Sequence, residues 1–151
     1  MRLGPEEFLQ VVELTPLVSI DLIVRDADGR VLLGRRTNEP AKGFWFVPGG
    51  RIHKDERIAA AFRRITAAEL GKPFDIASAK FIGVFEHLYP TNFAAKPGVG
   101  THYVVLAYEL VTSELPEELP ADQHGEFEWF DVQRIIKTDS VHENTRAYFD
   151  H

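Results

Sequence analysis

"VPGGRIHKDERIAAAFRRITAAELG", residues 47 to 71, is a glycine-containing loop that runs into a helical pattern, and the rest of the chain is best placed around it. Turned at about 100° per residue, Ile58, Phe62 and Ile65 share one narrow stripe with Ala61 beside it, the face expected to meet a core. Glu69 follows Ile58 by eleven residues, which returns it to within about 20° of that stripe at the last turn. Such a carboxylate either reaches past the core edge into water or is buried, and a buried charge needs a partner or a metal. The preceding "PGG" (48–50) favours burial, because glycines leave a backbone carbonyl open to close approach. Mg2+ takes oxygen ligands and keeps several waters, so one carboxylate, one carbonyl and one amide oxygen suffice beside substrate phosphates. The helix is expected over residues 55–70, ended by Gly71 and Pro73.

Working outward, Pro5 at a first helical position, with Glu6 and Glu7 behind it, opens a short helix that carries Phe8, Val11 and Val12 inward and stops before Pro16. "LVSIDLIV" (17–24) alternates as a strand, with Val18, Ile20, Leu22 and Val24 on one face and Ser19, Asp21 and Ile23 on the other. "DADG" (26–29) joins it to "RVLLGRR" (30–36) as an expected hairpin. Residues 37–50 read as a loop with an aromatic, strand-like centre. Further strands are expected at 79–89, 101–110 and 126–132, and short helices near 131–137 and 140–149. Strands interspersed with two or three helices predict an α/β or α+β sandwich.

The 151 residues, 44% hydrophobic and 11% aromatic, supply one domain, residues 1–151, and leave no room for a second. A net charge of −6 without a Lys/Arg block argues against a nucleic-acid polymer as partner, though a few arginines suffice for one nucleotide. Zero cysteines exclude disulfides and thiolate zinc sites. "MRLGPEEFLQVVEL" (1–14) lacks a signal-peptide pattern, and no apolar run approaches the roughly 18 residues of a membrane span, so a cytoplasmic protein without a membrane partner is expected.

The loop and helix resemble the signature of Nudix hydrolases: Gly, five residues, Glu, seven residues, then Arg-Glu-apolar-any-Glu-Glu-any-Gly. Gly50, Glu56, Arg64, Glu69 and Gly71 match, whereas Ile65 and Ala68 stand where the pattern has glutamates, and Thr66 where it has an apolar residue. The resemblance implies the Nudix fold, a mixed β-sheet sandwiched between α-helices. Members of that family use the extra carboxylates to hold metals and activate water for attack at phosphorus. Glu69 alone holds about one metal ion, so the reaction has either moved or stopped.

A histidine is the simplest replacement base near neutral pH. Of the six, His53, His142 and His151 fall in a loop start, the tail and the terminus, and His102 opens a strand where a structural hydrogen bond is expected. His87 and Tyr89 share one strand face by the period-two rule. His124 follows Gln123 in the loop "PADQHGE" (120–126), either as a solvated polar pair or as an amide ligand for Mg2+ beside an imidazole.

Beyond the signature, the chain is similar to GDP-mannose mannosyl hydrolases. The similarity runs through "TPLVSIDLIV" (15–24), "LLGRRTNEPAKGFWFVPGGR" (32–51), "ITAAELG" (65–71), "GVFEHLYPTNF" (83–93), "THYVVL" (101–106), "DQH" (122–124) and "VHENTRAYF" (141–149). That family lacks the same two helix glutamates. The resemblance implies one Mg2+ per subunit, replaceable by Mn2+, on the Gly49 carbonyl, Glu69 and Gln123. It implies His124 as general base, with Asp21 and His87 positioning the sugar or assisting the base. It further implies that Arg36, Arg51, Tyr89 and Tyr103 neutralise or orient the GDP leaving group, Arg36 and Tyr103 counting also as catalytic, and that Phe8 binds the substrate. The implied reaction is hydrolysis of GDP-α-D-mannose, with GDP-glucose as an alternative sugar donor, to GDP and the β-sugar by water attack at C1. A homodimer is also implied. The alternatives are a Nudix pyrophosphohydrolase cutting P–O–P in a nucleotide sugar and a non-catalytic nucleotide-sugar-binding domain. Asn144, Arg146 and the loop 90–100 are candidates for reading guanine.

Overall fold

The structure, a computed structural model, describes residues 2–120 and 124–150, and of His124 the backbone alone. In chain order it runs α1 (Pro5–Leu14), β1 (Leu17–Arg25), β2 (Val31–Arg36), β3 (Trp45–Phe46), β4 (Gly49–Arg51) and α2 (Ile58–Leu70). A single 3-10 turn (Ile76–Ser78) leads to β5 (Lys80–Tyr89), β6 (Thr101–Val111), β7 (His124–Phe130), α3 (Val132–Lys137) and α4 (Glu143–Arg146). Among the described residues no helix is long and apolar enough to cross a membrane.

The strands form one mixed sheet in the order β3-β2-β1-β6-β5, with β4 on β1 and β7 on β2. At its centre β1 and β6 pair in parallel from Leu17↔Tyr103 to Arg25↔Val111. Both faces of β1 are covered, which is why its sequence is almost continuously apolar. Ile20, Leu22 and Val24 meet Ala61, Phe62, Ile65 and Leu70 of α2. On the opposite face Ile23 packs with Leu33, Trp45, Phe130, Ile135, Tyr148 and Phe149, bringing α3 and the tail onto the sheet. Each fully buried side chain such as Phe62 contributes about 1.5–3 kcal/mol through burial. α1 seals a smaller cluster of Val12, Leu17 and Val99.

The β1–β2 hairpin forms as expected at its turn and then opens. Asp26 Oδ1 accepts from the Asp28 and Arg30 amides at 3.0 and 2.9 Å, which organises the turn. Only Arg25↔Val31 pairs directly, because β4 then inserts along β1, placing Gly49 opposite Asp21. β2 takes β7 as its long partner, with a bulge that sets Arg36 against the His124 backbone.

α2 begins at Ile58, three residues later than the spacing predicts. Ile58 itself is 44% exposed and does not join the core. Side chains lean toward a helix's N-terminus, so that of a first residue projects past the covered strands. Thr66, the polar departure from the signature, is fully buried, and its hydroxyl accepts from the Phe74 amide at 2.9 Å. Gly71 ends the helix in the left-handed region at φ 76°, where a Cβ would be strained.

Candidate active site

Glu69 is 6% exposed at the last turn of α2, so the carboxylate on the apolar stripe is buried, as its rotation predicts. One of its oxygens accepts from the Gly49 amide at 3.2 Å. A Cβ on Gly49 would lie 2.5 Å from the Ile20 carbonyl oxygen and 2.7 Å from Asp21 Oδ1, so only glycine fits between β1 and α2 here. Ile65, where the signature has a glutamate, is 1% exposed and lies 3.1 Å from where a Gly50 Cβ would stand. Core packing has taken that position, while Ala68 faces solvent.

The signature's remaining pair is structural. Arg64 grips Glu56 through two bonds of 2.8 and 2.9 Å and donates to the Arg51 carbonyl at 2.8 Å, while Glu56 accepts from the His53 amide. The bidentate Arg64 contact holds the Glu56 carboxyl down at about 2, although partial burial opposes it.

On the sheet face away from α2, the period-two rule gathers Asp21 of β1, Tyr103 of β6, and His87 and Tyr89 of β5. His87 pairs directly with Tyr103 across the strands. The tail covers them. The Tyr148 hydroxyl lies 2.6 Å from Asp21 Oδ2 and 3.4 Å from His87 Nε2. Burial raises the Asp21 carboxyl to about 7, against the Tyr148 hydrogen bond and the positive Arg36, both of which favour the anion. Burial also depresses His87 to about 4, helped by His142, so its ring is neutral at physiological pH. The phenols of Tyr89 and Tyr103 are raised by burial and stay protonated.

Arg36 ends β2, donates to the Pro40 carbonyl at 2.9 Å, and lies close enough for its charge to act on Asp21, Tyr89 and Tyr103. Arg51 sits over the Phe8 ring at 4.7 Å, and its charge also reaches Tyr103. The Phe8 ring is 5.0 Å from that of Phe93. Thus Asp21, Arg36, Gly49, Arg51, Glu69, His87, Tyr89, Tyr103 and Phe8 occupy adjoining parts of one end of the sheet. Gln123 and the His124 ring lie outside the described residues, but the His124 backbone stands opposite Arg36.

His142, set aside as a tail residue, belongs to this region. Its Nδ1 accepts from the Asn144 amide at 3.1 Å and caps α4. Its ring stacks on Phe46 at 4.8 Å and 20°, with Tyr89 5.2 Å away. The available signal was its place before "ENT", where a helix start calls for a side-chain acceptor. Asn144 lies beside the Tyr89 hydroxyl, near the site. His102 departs from expectation: its Nε2 is buried without a hydrogen-bond partner among the described residues. Its cross-strand neighbour, Leu88, has no side-chain acceptor to offer.

The donor chemistry around Gly49 suits a hard cation: a buried carboxylate beside a backbone position that tolerates no side chain. Among the described residues no group of three or more His, Cys, Asp or Glu side chains forms a metal cluster.

A NUDIX domain model matches residues 15–150. The low-salt glycan biosynthesis protein Agl8 of Haloferax volcanii is 38% identical over 131 residues, 86% of this chain and 80% of that protein. An RNA pyrophosphohydrolase of Caulobacter vibrioides is 30% identical over 129 residues, 80% of this chain and 73% of that one. Among solved structures, a MutT NUDIX hydrolase from Burkholderia pseudomallei superposes with a TM-score of 0.69 at 26% identity, over 89% of this chain and 96% of that one.

Proposed function

The chain belongs to the Nudix family, and on that premise we propose that it hydrolyses GDP-α-D-mannose to GDP and β-mannose by water attack at C1. The observation that carries the reading is the division of the site. α2 retains Glu69 as the one carboxylate of its last turn, while Asp21, His87, Tyr89 and Tyr103 gather on the adjoining sheet face. Carbon–oxygen cleavage with inversion needs a base on the face opposite the leaving group and stabilisation of a departing diphosphate, which a single carboxylate on α2 does not preclude. The relation to a glycan biosynthesis protein also supports a nucleotide-sugar substrate.

In this reading Glu69, the Gly49 carbonyl and Gln123 hold Mg2+, which neutralises diphosphate charge when bound. Arg36 and Arg51 add positive charge along the leaving group, and Phe8 and Tyr103 flank the nucleotide. Asp21 and His87 hold sugar hydroxyls, with the Tyr89 ring 6.4 Å from that of His87. His124 takes the proton of the attacking water, its backbone held beside Arg36 by the β2–β7 register. The protein acts as a cytoplasmic homodimer.

Hydrolysis in 18O-water tests the bond that breaks: label in mannose supports the reading, and label in a phosphate product overturns it. Cleavage of P–O–P is the second reading, favoured by the Caulobacter relative's name as a pyrophosphohydrolase. Ile65, buried where a second metal-binding carboxylate would stand, weighs against it.

A further inference from the structure

Asp21 and His87 stand on β1 and β5, with β6 between them. The side chain that bridges the gap is Tyr148, from the tail after α4: its hydroxyl is 2.6 Å from Asp21 Oδ2 and 3.4 Å from His87 Nε2. The ring is itself held. It is 5% exposed and meets the Phe85 ring edge-on at 4.8 Å and 90°.

We propose that Tyr148 is a positioning residue that ties Asp21 and His87 into one hydrogen-bonded unit and, with the Asp21 carboxylate ionised, fixes His87 as its Nε2–H tautomer. At the pH of about 8.5 used in the test below, the Asp21 carboxyl is ionised and only accepts, so the single hydroxyl proton of Tyr148 goes to Asp21. The hydroxyl oxygen then offers only lone pairs toward His87. A neutral imidazole has one N–H, and burial keeps this ring neutral. Its proton therefore sits on Nε2, facing the hydroxyl, and Nδ1 keeps a lone pair for a donor such as a sugar hydroxyl. Asp21, held at Oδ2, keeps Oδ1 toward the Gly49 backbone. One tail residue thus sets the hydrogen-bonding character of two groups on separate strands.

The kinetic consequence rests on the function proposed above, whereas the tautomer does not. The test is Tyr148→Phe, which keeps the ring and its packing and removes only the hydroxyl. In 15N-histidine-labelled protein without substrate, at about pH 8.5, long-range 1H–15N correlation should find His87 wholly Nε2–H in the wild type. In Tyr148→Phe an Nδ1–H population should appear, while the signals of the other histidines stay in place. Identical His87 signals in both proteins, or an Nδ1–H wild-type ring, would overturn the proposal. With GDP-mannose, the variant should lose about 10- to 100-fold in kcat, the scale of a small misplacement, with a smaller change in KM. An unchanged kcat would count against positioning. Absence of wild-type turnover would instead sink the functional reading and leave the tautomer result to decide on Tyr148.

Discussion

The Gly49 amide donates to Glu69 Oε1 at 3.2 Å, so the start of β4 and the last turn of α2 are locked to each other. A Cβ on Gly49 would press within 2.5 Å of the Ile20 carbonyl. Gly49→Ala should therefore lower unfolding free energy by about 1–3 kcal/mol, the usual effect of overpacking. Glu69→Gln keeps an oxygen for the Gly49 amide, so its stability should change by less than about 1 kcal/mol. The concentration of Mg2+ needed for half-maximal activity should nevertheless rise. Urea melts and Mg2+ titrations of the two variants check this contrast; a Gly49→Ala protein as stable as wild type would refute it.

Asp21 sets up a conflict between function and stability. Its carboxyl rises from the ordinary 3.8 to about 7 because burial disfavours the anion. Between those values the native state keeps a proton that the unfolded chain has released, so stability falls as pH rises across the window. Asp21→Asn removes that ionisation while keeping an oxygen for Tyr148. It should be more stable than wild type by about 4 kcal/mol at pH 8 and nearly equal at pH 4, with activity reduced. Thermal melts at both pH values decide it.

Glu56 works with the opposite sign. Its folded value is depressed from 4.5 to about 2 by Arg64, so its contribution is complete above 4.5 and disappears as pH falls toward 2. The Arg64 side chain is 39% exposed, so solvent screening reduces the net effect to about 1–2 kcal/mol. Glu56→Gln should thus be less stable than wild type at neutral pH and converge with it near pH 2. Parallel denaturation curves over that range provide the check.

His124→Gln should reduce kcat by about 10²–10⁴, the share of a general base, and leave the thermal midpoint nearly unchanged. Full activity in that variant would assign the base elsewhere.

The strand order of this sheet could not be read from local pattern, although most strands could. Alternation in 17–24 and the turn residues at 26–29 made β1 and its turn legible, but the insertion of β4 between β1 and β2 depends on long-range pairing with Gly49–Arg51. Glu69 was legible because helical rotation returned it to the core stripe, whereas Ile58 was misleading because end position outweighs rotation in a first turn. Asp21, His87, Tyr89 and Tyr103 were carried by resemblance, and His87 and Tyr89 also by strand alternation. Tyr148 and His142 were missed as site residues. Their meeting with β1 and β5 spans more than fifty residues of sequence, and only the packed tail brings it about.

Incubation with GDP-α-D-mannose and Mg2+, followed by NMR from the first minutes, separates attack at C1 from attack at phosphorus. GDP should appear with β-mannose as the first sugar signal, before mutarotation. GMP with mannose 1-phosphate would contradict attack at C1.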